Sequence, residues 1–137
     1  TAFEVTDSLN YGNLFVGQSS NPLNQIITTT ATGNVGLDQY HSGSGTGMCV
    51  DYPTCSVGTP IPLSNQKYSL SSSTAYTSGT TLTSSPVEVE LNVPKPTSTT
   101  AVSKNTWWGI EIPNGTLPGV YEGQNTITAV KGETADW

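Results

Sequence analysis

Between Val87 and Val93 the chain alternates strictly: Val87, Val89, Leu91 and Val93 fall on one side, Glu88, Glu90 and Asn92 on the other. A period of two is what a strand with one buried and one wet face requires, so this stretch predicts a β-strand, ended by Pro94 and Pro96. Weaker versions of the pattern recur. Phe3 and Val5 alternate with Glu4 and Thr6 and predict a first strand. Asn24 to Thr32, rich in Ile and Thr and closed by Gly33-Asn34, predicts a second, and Val35 to Tyr40 a shorter third. Ile61 to Leu70 follows, with Leu63, Tyr68 and Leu70 as its apolar positions. Trp107 to Ile112 sets Trp108, Ile110 and Ile112 against Trp107 and Glu111, and Gly119 to Val130 predicts a long final strand.

Between these runs the sequence reads as turns. Tyr11-Gly12-Asn13, Pro113-Asn114-Gly115 and the hydroxyl tracts Ser71 to Thr74 and Thr77 to Gly79 compete for backbone hydrogen bonds and favour turns or a sheet edge. Residues 41–58 shift to Gly, Ser and two cysteines and predict an excursion between strands. No window carries the apolar repeat of an amphipathic helix. About eight short strands without intervening helices predict one all-β domain over residues 1–137, a two-sheet antiparallel sandwich of the immunoglobulin-like or jelly-roll type.

Composition sharpens this. The chain holds 22 Thr and 16 Ser, and only 10% of its residues are charged, against about 25% in ordinary globular domains. Four Lys and no Arg face 10 acids, for a net charge of −6. Without a basic patch, nucleic acid is excluded as a partner and anionic membrane surfaces are disfavoured. No apolar run reaches the roughly 18 residues of a spanning helix. The opening at Thr1 fits a mature protein exported with a cleaved signal, and hence an extracellular or cell-surface location. Cys49 and Cys55 fall short of a zinc site, which needs more ligands than His41 and Asp51 add, so a local disulfide in an oxidising compartment is the expectation, with a pair of free thiols as the alternative.

Candidate chemistry is sparse. His41 is the only histidine, it falls in the Gly/Ser excursion, and no nucleophile motif flanks it, so neither an enzyme nor a cofactor is expected. Glu88 and Glu90 lie about 7 Å apart on one strand face, a spacing that glycosidase carboxylates also use, yet a solvated face accounts for them. Asp38 and Asp51, read as members of acidic loops, are candidates for calcium, although no metal-binding motif surrounds them and no metal is assigned. Trp107, opposite the core face, is expected to be exposed, where it would anchor a subunit contact or stack on a sugar, with partial burial under a loop as the remaining alternative. Asn114-Gly115-Thr116 is the sole N-glycosylation sequon and falls on a turn.

Several stretches carry a family resemblance. Leu9 to Gln18 followed by Ile26 to Val35, and Leu117 to Gly123 running into Asn125 to Ala129, resemble the opening and closing segments of secreted immunoglobulin-like sandwich modules of archaea and bacteria, and are most similar to TasA-like extracellular filament subunits. The resemblance implies a structural protein that polymerises by donating an N-terminal strand, residues 1–9 here, to a neighbouring copy, the alternative being that this strand pairs inside its own sandwich. Phe3, Val5, Leu9 and Trp107 then become the expected interface residues, and Tyr121 is expected to pack across the corner made by Pro118 and Gly119. The alternative is a secreted module that binds carbohydrate or another cell surface.

Overall fold

The computed structural model of the chain describes residues 3–6, 8–43, 47–52, 54–56 and 58–132. Its strands are β1 (Phe3–Val5), β2 (Gln25–Ala31), β3 (Leu37–Gly43), β4 (Gln66–Ser69), β5 (Thr80–Thr81), β6 (Val87–Val93), β7 (Val102–Ile110) and β8 (Asn125–Lys131). Among the described residues there is no α-helix, only two short 3-10 turns at Leu63–Asn65 and Tyr76–Ser78. The strands form two antiparallel sheets, one ordered β1-β2-β7-β4-β5 and the other β6-β3-β8, and the fold is an eight-stranded β-sandwich.

The pairing is nested. β4 pairs with β5, β3 with β6 and β2 with β7. Together these describe one long hairpin rolled over on itself, as in a jelly roll. The next pair in the series would join β1 to β8. Instead β1 lies on the edge of β2, with Phe3 opposite Ala31 and Val5 opposite Thr29, and among the described residues β8 pairs with β3 alone.

Alternation fills the space between the sheets. Ile27, Tyr68, Trp108 and Val89 meet Leu63 and Leu82 in one cluster, while Ala31, Leu37, Leu91 and Val93 form a second. Val5, Leu9, Tyr11 and Ile127 pack on the first cluster and Phe3 on the second. Trp108 is 1% exposed and takes the core position expected of it.

The main differences from the sequence reading come where side-chain period and backbone pairing part company. β3 runs on through His41 to Gly43, so the excursion starts later than the Gly/Ser composition implies. The remainder is tied down by isolated bridges of Met48 to Ile61 and Cys49 to Glu122. Gly47, at φ +75°, admits this turn because a Cβ there would run into the Ile61 carbonyl. Ile61 to Leu70 divides into a bridge, a 3-10 turn and the short β4. β7 starts five residues before Trp107, at Val102, because Val102 to Thr106 ladders with β2 although its outer positions are Ser and Asn and Lys104 interrupts the apolar inner face. β8 starts at Asn125, and the stretch before it pairs with the cysteine loop instead, Glu122 bridging Cys49.

Candidate assembly surface

Among the described residues from 3 to 11, half-buried apolar and exposed polar positions alternate on either side of Asp7. Phe3, Val5, Leu9 and Tyr11 are half-buried, while Glu4, Thr6, Ser8 and Asn10 are exposed. Thr1, Ala2 and Asp7 of the expected donor strand lie outside the described residues. Only the first part of the segment is laddered: beyond β1, the Thr6 amide donates to the Thr28 carbonyl at 3.1 Å. From Ser8 to Leu14 no backbone-to-backbone hydrogen bond occurs among the described residues. Side chains hold this stretch instead. Tyr11 reaches inward and its hydroxyl donates to Gln66 Oε1 at 2.8 Å, the same oxygen that accepts from Asn125 Nδ2 at 2.9 Å. Burial, and then the neighbouring Tyr76, raise the Tyr11 pKa far above its ordinary value.

Beside this segment the sandwich is open. A cleft of about 380 Å³ runs between it and β8, walled by Leu9, Ile27, Met48, Trp108 and Ile127 with Gln124 and Asn125 at its polar end. A second groove of about 550 Å³ continues from it between residues 9–16 and 116–121. Phe15, Val16, Leu117 and Val120 stand exposed along that groove. Such a contiguous apolar surface is unusual on a chain otherwise coated in hydroxyls. The cleft is not legible from strand periodicity, because it lies along the edge of β8, between that strand and residues from the other sheet and the N-terminal segment. The one available signal was the odd-position apolar row continuing past Val5 to Leu9 and Tyr11.

His41 lies in the core, not in a loop. Its ring is 1% exposed, packed edge-on to Tyr68 at 4.7 Å and tilted against Trp108 at 5.2 Å. Nε2 bonds to Gln39 Oε1 at 2.8 Å, and Gln39 Nε2 donates to Thr29 Oγ1 at 2.6 Å, so a polar thread crosses between the sheets. Nδ1 has no hydrogen-bond partner among the described residues. Burial pushes the ring's pKa from 6.5 down to about 4, which keeps it neutral.

Asp38 also belongs to a strand, not a loop. It occupies β3 at the irregularity between Leu37 and Gln39, buried, where its Oδ1 accepts the Asn92 amide at 2.9 Å. Asn92 is in the left-handed region at φ 55°, and the carboxylate caps the bulge it makes. Glu88 and Glu90 are exposed beside it, and each of the three acids offers an oxygen within 4.8 Å of the others. That spacing suits a cation, yet Asp38 is engaged by the bulge and Glu88 accepts the Tyr40 hydroxyl at 3.0 Å. The Tyr40 pKa is raised by that bond. Asp51 serves the cysteine loop, its Oδ2 accepting from the Ser56 amide and hydroxyl.

Cys49 and Cys55 are joined in a disulfide. Trp107 is half-buried, not fully exposed, because it sits on the outer face of β7 between Ile26 of β2 and Ser69 of β4. Asn114 is exposed on its turn, beside Gly115 at φ +86°. Tyr121 is half-buried, and its hydroxyl donates to the Leu117 carbonyl at 2.7 Å, so it spans the corner without entering the core. The structure thus brings Phe3, Val5 and Leu9 onto one packed row and leaves Trp107 on the far side of the same sheet. No family model, curated protein or solved structure matches this chain.

Proposed function

We propose that this chain is a structural module of an extracellular filament or cell-surface layer, built by exchange of the N-terminal strand between copies. The observation that carries the reading is the mismatch within residues 3–11: one apolar row suited to a strand, but a backbone ladder over its first part only. A short edge strand followed by an unladdered connection is inexpensive to detach, and its apolar side chains then need another groove. Donation from each copy to the next is heterologous and open-ended, which produces fibres. Chemistry elsewhere in the chain supports a non-enzymatic role, since its only imidazole is sealed among Tyr68 and Trp108. The disulfide suits a location outside the cell, where such bonds persist.

A second reading, a carbohydrate- or surface-binding module, draws on Trp107 among the hydroxyls of the outer sheet face. Sugar platforms rely on apolar ring faces aligned together, and the residues paired with Trp107 on the two neighbouring strands, Ile26 and Ser69, are not aromatic. Electron microscopy of the full chain beside a form lacking Thr1 to Asp7 tests the first reading. Filaments are expected only from the full chain, with the shortened one still folded; filaments from both would end the proposal.

A further inference from the structure

The two edges of the smaller sheet differ in kind. β6 is blunted by the bulge at Asn92, by Glu88 and Glu90, and by the prolines that follow it, all devices that deter a further strand. β8 has none of them. Its register against β3 runs unbroken from Asn125 to Lys131, and from Asn125 to Val130 it contains no charge, proline or glycine. The Gly132 amide bonds to the Gly36 carbonyl at 2.8 Å. Since bonding alternates along an antiparallel ladder, Thr126, Thr128 and Val130 bond to β3, and the Ile127 and Ala129 amides point away from it. The cleft lies along this same side, and the nested pairing leaves the place beside β8 without its first strand.

We propose that the β8 edge and its cleft form the acceptor site for residues 3–11 of a second copy of this chain. The inference rests on the strand-exchange reading above and names the surface that receives the strand. The occupant is identified by fit. Phe3, Val5, Leu9 and Tyr11 supply an alternating apolar row, broken only at Asp7, for a cleft walled by Ile27, Trp108 and Ile127. The segment is long enough to cover the whole of β8. It brings Glu4 and Asp7 to an edge whose only charge is Lys131. Seated antiparallel to β8, it supplies the pair that the rolled hairpin lacks and widens the smaller sheet by one strand.

Residue-resolved hydrogen exchange on the dilute monomer and on the assembled full chain tests the assignment. The Ile127 and Ala129 amides should exchange freely in the monomer and slow by about tenfold or more on assembly. If assemblies form while these amides stay fast, strand exchange stands but the acceptor is elsewhere, for instance the β2 edge that β1 vacates. Protection already present in the monomer would mean that the chain's own residues 8–14 close the edge, and would overturn the proposal. If no assembly forms at any concentration, the strand-exchange reading fails and this one with it. Ala129→Pro removes an outward amide at an edge position where proline is tolerated. Its monomer should melt cooperatively yet not assemble, and assembly at the unmodified rate would count against the site. The exchange measurement needs no substitution, so it decides the matter even where proline unfolds the chain.

Discussion

At the scale of single residues, His41 decides how the fold answers to acid. Its buried ring has a pKa near 4 against 6.5 when exposed, so between those values the unfolded chain binds a proton that the native ring refuses. The stability that neutral His41 contributes is therefore complete above pH 6.5 and is lost as pH falls through 4, up to roughly 3 kcal/mol. An NMR titration of the imidazole should give a midpoint near 4, while a midpoint at or above the ordinary value would mean that the ring is exposed. Tyr121 makes a smaller claim. Half-buried with one hydroxyl bond to Leu117, it should lose only about 1 kcal/mol in Tyr121→Phe, read from urea denaturation. Both residues show where sequence reading stops. Histidine, serine and glycine at positions 41–43 have loop composition, and only Tyr68, Trp108 and Gln39, all distant or polar themselves, make that stretch a core strand.

At the scale of elements, the strands that carry their own alternation were legible. β6 has the bounds that its period of two implies, and β2 lies inside the Ile/Thr run. β7 was half legible, because its outer hydroxyls hide the strand that β2 templates, and the two-residue β5 carries no pattern at all. The bulge in β6 was hidden too, since its cause is a carboxylate on another strand. Asp38→Ala leaves the Asn92 amide without its acceptor and should cost about 1.5 to 3 kcal/mol, whereas Asp38→Asn, which retains a carbonyl oxygen and relieves repulsion from Glu88 and Glu90, should cost much less. Equal losses for the two substitutions would show that the charge matters more than the bond. The disulfide was legible because two cysteines with His41 and Asp51 are too few ligands for a zinc site. Replacing Cys49 and Cys55 by Ser should lower stability by about 2 kcal/mol in thermal melts without dismantling the sandwich, because the closed loop is short.

At the scale of the whole molecule, the nested pairing β2/β7, β3/β6 and β4/β5 leaves β1 and β8 apart. Neither the absent pair nor the cleft beside β8 can be read from one strand's sequence, since both are properties of topology. The central claim is that β1 leaves its own sandwich to join another, and a reversible lock tests it most directly. Glu4 and Thr30 are direct partners across β1 and β2, at a separation of the kind a disulfide spans. In a Glu4→Cys, Thr30→Cys chain, oxidation should fasten β1 to its own β2 and sedimentation velocity should find monomers only. Under reductant mild enough to leave Cys49–Cys55 intact, the same chain should polymerise as the unmodified protein does. Polymers of equal length from the locked and unlocked chains would contradict the account.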